Sequence, residues 1–123
     1  MTLERKCYYF AKSPNAKNWS ASHEDCSSRD SRLLVIQDQA ELVSLAQHLK
    51  FYAWIGLFNA IPGRRWTWVN GSILNETLFT VSGSSDGGSC VKMKSTTLES
   101  DNCLNTRPWI CQKDAESPRS TST

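Results

Sequence analysis

Five cysteines are spread through the chain at positions 7, 26, 90, 103 and 111, and no two form a Cys-x-x-Cys pair. That spacing argues against zinc ligation and thioredoxin-like redox chemistry, which use closely spaced thiols. Widely separated cysteines in a chain of 123 residues fit an oxidising compartment, where disulfides staple a small fold. Three Asn-x-Ser/Thr sequons, at Asn18, Asn70 and Asn75, point to the same compartment and are candidate glycosylation sites. The odd count leaves one thiol without a partner in the chain. Cys7, nearest the end, is the candidate.

The remaining composition narrows the class. Hydrophobic residues make up 39% and charged residues 21%, so the chain can bury one domain core. A net charge of +2 is too small to indicate a nucleic-acid partner. No window approaches the ~18 apolar residues of a membrane span, and Met1–Lys6 has no apolar stretch of a signal peptide. Residues 1–6 read as a stalk remnant or expression start, 7–113 as the domain, and 114–123 as a disordered tail.

Local patterning gives helices early and strands late. Lys6–Ala11 is β-prone, and a short helix is expected over Ser20–Arg29. Leu33–Ile36 reads as a buried strand. Asp38 and Glu41 have capping-box spacing, and Leu42, Leu45, Ala46 and Leu49 form one apolar stripe, so a second helix should run to about Lys50. Trp54–Leu57, Trp66–Val69 and Pro108–Cys111 read as strands, as does Val91–Lys94 with its alternating apolar and basic side chains. Loops are expected at 59–65, 73–89 and 95–107. The fold class is therefore α+β.

These residues resemble the C-type-lectin-like domain. The markers run in order through Cys7-Tyr8-Tyr9-Phe10, Trp19, Cys26, Trp54-Ile55-Gly56-Leu57, Trp66-Thr67-Trp68, Cys90, Cys103 and Trp109-Ile110-Cys111. The resemblance implies two helices packed on antiparallel sheets with a long loop region, stapled by Cys26–Cys111 and Cys90–Cys103. In longer members the cysteine matching Cys7 pairs with one a few residues upstream. Asp30–Ile36, Trp66–Ser72 and Trp109–Lys113 are most similar to natural killer cell receptors and their lectin-related ligands. That group implies the ectodomain of a single-pass type II membrane protein, anchored through a segment absent from this chain, often dimeric, with a protein ligand that is itself C-type-lectin-like.

Sugar-binding members hold calcium through a Glu-Pro-Asn or Gln-Pro-Asp triplet and a Trp-Asn-Asp motif. Neither is present. No proline lies between Trp68 and Cys90, and Leu98, Glu99 and Ser100 occupy the second motif's register. Calcium needs six to eight oxygen ligands, so no metal or other cofactor is expected. Glu99, Asp101 and Asn102 bear oxygens out of that register. Ile73, Leu78 and Phe79 replace polar content in the long loop, and either fold onto the core or form an exposed patch. Trp54, Trp66, Trp68 and Trp109 are either packing or sugar-stacking platforms. His23 and His48 read as solvated. No Gly-x-Ser-x-Gly elbow, the strand–turn–helix device that exposes a nucleophilic serine, is expected, and no enzyme activity. The charged residues Arg64, Arg65, Asp86, Lys92, Lys94 and Glu99 are candidates for contacting the protein ligand. The expected role is a calcium-independent receptor domain; the alternatives are the displayed ligand of such a receptor and, third, a calcium-dependent lectin.

Overall fold

A computed structural model describes residues 6–11, 16–59, 65–83 and 89–114. Ten elements follow one another: β1 (Lys6–Ala11), α1 (Trp19–Ser28), β2 (Arg32–Leu33), α2 (Gln39–Ala46), β3 (Ala53–Phe58), β4 (Thr67–Trp68), β5 (Val81–Ser82), β6 (Cys90–Lys94), β7 (Thr97–Asp101) and β8 (Trp109–Asp114). The strands run β1-β8-β3-β6-β7-β5 across the sheet, with β2 added to β8 and β4 to β3. β1 and β8 are antiparallel from Lys6↔Asp114 to Ala11↔Trp109. That ladder extends one residue beyond each end of the 7–113 span. A single parallel pairing, Trp54↔Trp109, joins it to β3.

β3 explains why the core has two parts. Ala53 to Leu57 are all buried, so this strand is covered on both faces. Period-two alternation sends Ile55 and Leu57 into one cluster with Leu34, Val91 and Met93. It sends Trp54 into the other, with Cys26, Leu33, Trp109 and Cys111. Gly56 is obligatory for a spatial reason: a Cβ there would lie 2.8 Å from the carbonyl oxygens of both Leu33 and Leu34. Those backbones approach closely because the Gly56 N–H donates to the Leu34 carbonyl at 2.8 Å.

The helices begin where side chains accept the free N–H groups of the first turn. Asn18 accepts from the Ala21 N–H at 2.8 Å and starts α1, one residue earlier than the expected Ser20. Asp38 accepts from the Glu41 N–H at 2.8 Å and starts α2. α2 ends at Ala46, short of the expected Lys50. The chain continues through tighter turns, in which the N–H groups of His48 and Leu49 donate to the Leu45 and Ala46 carbonyls. Leu49 is buried nonetheless. Glu41 goes beyond its capping role. It is 2% exposed and takes Lys6, Tyr8 and the Gln37 N–H onto one carboxylate.

The disulfides are Cys26–Cys111, with 5.4 Å between Cα atoms, and Cys90–Cys103, with 5.2 Å. The first ties α1 to β8 across 85 residues; closing so long a loop stabilises by about 4–5 kcal/mol in the chain-entropy model. Cys7 is free and exposed.

Two strands lie where loops were expected. β7 occupies 97–101, inside the expected 95–107 loop, and β5 lies within 73–89. β7 contains one apolar residue, Leu98, so its alternation is invisible in sequence; pairing with β6 makes it a strand. Conversely, the apolar run Leu33–Ile36 is strand only at Leu33, although all four residues are buried.

Candidate binding face

The β6–β7 ribbon sorts its side chains by alternation. Val91 and Met93 are fully buried, so Lys92 and Lys94 point the other way. Opposite them in register stand Glu99 and Thr97. Tyr52, just before β3, is the centre of this outer face. The ammonium groups of Lys92 and Lys94 lie 4.5 and 5.5 Å from its ring centroid, and the Arg107 guanidinium lies at 5.8 Å. Cations over an aromatic face are attracted by the ring quadrupole. The Tyr52 hydroxyl faces the Glu99 carboxylate. Hydrogen bonding toward that carboxylate, then partial burial and Glu99's charge, opposed by Arg107, raise the hydroxyl's pKa.

Asp101 organises the cations from below. It accepts from Arg107 Nε at 2.6 Å, from the Asn102 N–H at 2.9 Å and from Asn105 Nδ2 at 3.0 Å, and lies 3.6 Å from Lys92 Nζ. Burial alone would raise its pKa. The hydrogen bonds from Arg107 and Asn102 and the charges of Arg107 and Lys92 outweigh burial and hold the carboxyl below the usual range. Lys92 is therefore charge-compensated and largely covered, its side chain 13% exposed. Lys94 is exposed, and neither it nor Lys50 has a carboxylate at ion-pair distance among the described residues.

The other candidates scatter. Arg65 is exposed at the start of the segment leading to β4. Arg64 and Asp86 lie outside the described residues. Asn70 and Asn75 are exposed, and the amide oxygen of each accepts both the N–H and the hydroxyl of the sequon's third residue: Ser72 at 2.9 and 2.7 Å, Thr77 at 3.0 and 2.6 Å. Asn18 is half-buried as the α1 cap. Tyr52, Arg107 and Lys50 were missed as members of this face. Arg107 is a lone charge before Pro108, with no local pattern to flag it.

The long loop divides the apolar residues that replace its polar content. Phe79 is buried edge-on against Trp68, with centroids 6.4 Å apart, and Leu74 is buried beside it. Ile73 stays 54% exposed. The buried tryptophans are held by their indole N–H groups: Trp54 donates to the Lys17 carbonyl at 3.0 Å and Trp109 to Asp25 at 3.1 Å. Trp19 does the same toward Ile55 at 2.9 Å. They pack and do not offer stacking faces. His23, expected to be solvated, is half-buried and stacked on Trp19 with an unpartnered Nδ1; burial first, then the charge of Arg32, lowers its pKa.

Among the described residues, no three of His, Cys, Asp and Glu converge as a ligand set for a metal. One expectation needs correcting: Gly83-Ser84-Ser85-Asp86-Gly87 does spell Gly-x-Ser-x-Gly. Residues 84–88 lie outside the described set, but the segment leads from strand β5 to strand β6, not into the helix that a nucleophile elbow requires.

The family model "Lectin C-type domain" matches residues 15–113. This chain belongs to the C-type lectin domain family. The C-type lectin fold is seen again in two solved structures. One is the mouse scavenger receptor C-type lectin carbohydrate-recognition domain, with TM-score 0.79 and 23% identity over 91% of this chain and 92% of that one. The other is the C-type lectin domain of murine dendritic cell inhibitory receptor 2 in complex with N-glycan, with TM-score 0.81 and 24% identity over 90% and 92%. Curated relatives are similar at higher identity. Killer cell lectin-like receptor subfamily F member 1 of Homo sapiens is 38% identical over 91% of this chain and 48% of its own length. Subfamily B member 1B allele C of Rattus norvegicus is 36% identical over 89% and 49%. The chain thus spans about half the length of these relatives. They are receptor-type C-type-lectin-like proteins. No helix among the described residues is long and apolar enough to cross a membrane.

Proposed function

We propose that this C-type lectin domain is the recognition end of a membrane-anchored immune-type receptor that binds a protein ligand, itself C-type-lectin-like, without calcium and without catalysis. The observation that carries this reading is the Tyr52-centred face. Lys92, Lys94 and Arg107 converge on one ring, Asp101 compensates two of them, and Lys94 keeps its charge free. Such a preformed charged face steers association and costs little ordering on binding. The residues in the register of the family's second calcium motif, and the apolar residues of the long loop, support the calcium-independent reading. Leu98 is in the core, Glu99 receives the Tyr52 hydroxyl, and Leu74 and Phe79 fasten the long loop inward. The receptor names of the 36–38% identical relatives support the role.

The test is staining of cells that each display one lectin-like surface protein, with fluorescent tetramers of this domain, in calcium and in EDTA. Staining of one such protein that survives EDTA and weakens with Lys94→Glu supports the reading. Staining that EDTA abolishes and free monosaccharide competes away overturns it.

A further inference from the structure

Two depressions meet at Phe51. The first, about 180 Å³, is lined by Phe10, His48, Leu49, Ala53 and Ile110 beside Phe51. Its lining side chains are apolar except for His48. The second is wider and shallower, and its charged walls are Lys50, Lys94 and Arg107, set beside Phe51, Tyr52 and Pro108. Phe51 lines both and is 43% exposed, so its ring is a partition between an apolar socket and a basic shelf. Among the described residues, no carboxylate lines either depression. Asp101 is engaged by Arg107 and Lys92, and Glu99 by Tyr52.

Size and charge together select an occupant. A cavity of about 150 Å³ holds a benzene-sized group, so the socket accepts one aromatic or branched aliphatic side chain and is too small for a whole acyl chain. The shelf places three cations within reach of a neighbouring anion, where Arg107 offers planar hydrogen-bond donors suited to a carboxylate. The furrow opens at the Ala11–Trp109 end of the β1–β8 ladder, roughly 17 Å from Lys6 and Asp114 at the other end. A partner therefore reaches it without crossing the segment where the described chain enters and leaves.

We infer that the Phe51 furrow binds an extended acidic peptide segment of a partner protein, with one large apolar side chain in the socket and an adjacent carboxylate on the Lys50–Lys94–Arg107 shelf. This deepens the protein-ligand reading and rests on it for its biological occupant. It is tested apart from that reading, because free peptides need no cell-surface partner.

The experiment is a titration of the isotope-labelled domain with blocked tripeptides, followed by backbone amide shifts. The probes are acetyl-Glu-Phe-Glu-amide, its Gln-Phe-Gln and Glu-Ala-Glu counterparts, and sodium decanoate. Saturable shifts at residues 48–53, 106, 107, 109 and 110 with the first peptide are expected. The Ala peptide should bind about tenfold or more weaker, having lost the buried ring. The Gln peptide should bind about two- to fivefold weaker, as for exposed ion pairs, and Lys50→Glu or Lys94→Glu should do the same while distant amides stay in place. The inference is overturned if these amides do not shift, if the neutral peptide binds equally well, or if decanoate binds more tightly than the acidic peptide, which would make the furrow a lipid site. Peptide binding without tetramer staining would leave the furrow standing and remove the receptor reading; the converse would remove the furrow alone.

Discussion

Replacing Glu41 by Gln should destabilise the domain far more than its position on a short amphipathic helix suggests. Its Oε2 accepts from Lys6 Nζ at 2.8 Å and the Tyr8 hydroxyl at 2.6 Å, while Oε1 accepts from the Gln37 N–H at 2.8 Å. The Lys6 and Glu41 side chains are 8% and 3% exposed, so little solvent screens the pair. Burial, then the Glu41 hydrogen bond and charge, push the Tyr8 hydroxyl far above its ordinary pKa, so it remains a donor throughout the usable pH range. An amide in place of the carboxylate must turn an NH₂ group toward one of three donors. Breaking one partner of a buried pair costs about 3–5 kcal/mol. Lys6 keeps the Val35 carbonyl at 2.8 Å and Gln112 at 3.2 Å, which holds the cost near the lower end, about 3 kcal/mol. At this chain length each kcal/mol moves Tm by about 3–6 °C, so a fall of about 9–18 °C is expected. The assay is a double-mutant cycle by thermal denaturation with Glu41→Gln, Lys6→Met and both. A coupling of about 2–3 kcal/mol is expected. Additive effects, or a Glu41→Gln loss under 1 kcal/mol, would refute the argument that this network clamps β1 against α2.

Asp101→Asn should cost about 1.5–3 kcal/mol, the worth of hydrogen bonds to a charged group. Because the folded-state pKa is lowered, that loss is full above the unfolded carboxylate value near 4 and shrinks as pH falls through the folded value; denaturant midpoints of both proteins between pH 3 and 7 check it. Gly56→Ala should destabilise by about 2–4 kcal/mol or prevent folding, because its methyl would meet two backbone oxygens at 2.8 Å, one of which, on Leu34, accepts the Gly56 N–H itself; soluble yield and Tm read it out. Glycopeptide mapping of secreted protein should find Asn70 and Asn75 occupied more fully than Asn18, whose side chain caps α1, and Asn18→Ala should cost about 1 kcal/mol.

Much of the fold was legible where a local signal and a tertiary role coincide. Asp38 reads as a cap and is one. The Trp54–Leu57 run reads as an apolar strand, and it is one, with both of its faces covered. The alternation of Val91–Lys94 separates core from surface correctly. β7 was hidden because Thr97, Glu99, Ser100 and Asp101 carry no apolar alternation, and a strand made by its neighbours leaves no local trace. Glu41 reads only as a capping residue because nothing nearby announces Lys6 and Tyr8, which arrive from 35 and 33 positions away. The binding face suffered in the same way. Lys92 and Lys94 were visible on one strand face, with Glu99 in an expected loop; Glu99 joins them through the β6–β7 pairing, and Tyr52 and Arg107 only through the β3–β6 and β3–β8 pairings. Those contacts also show that Lys92 is tied to Asp101, leaving Lys94 as the freer charge.

The central claim, recognition without a metal, is tested most directly by the Tm of the domain in EDTA and in about 10 mM calcium. An extracellular calcium site with a Kd of about 0.1 mM would be saturated about 100-fold and would add about 2.7 kcal/mol, or roughly 8–16 °C. Superimposable melting curves are predicted, since Glu99 is held by Tyr52 and the long loop by Phe79. A calcium-dependent rise of several degrees, reversed by EDTA, would contradict the account.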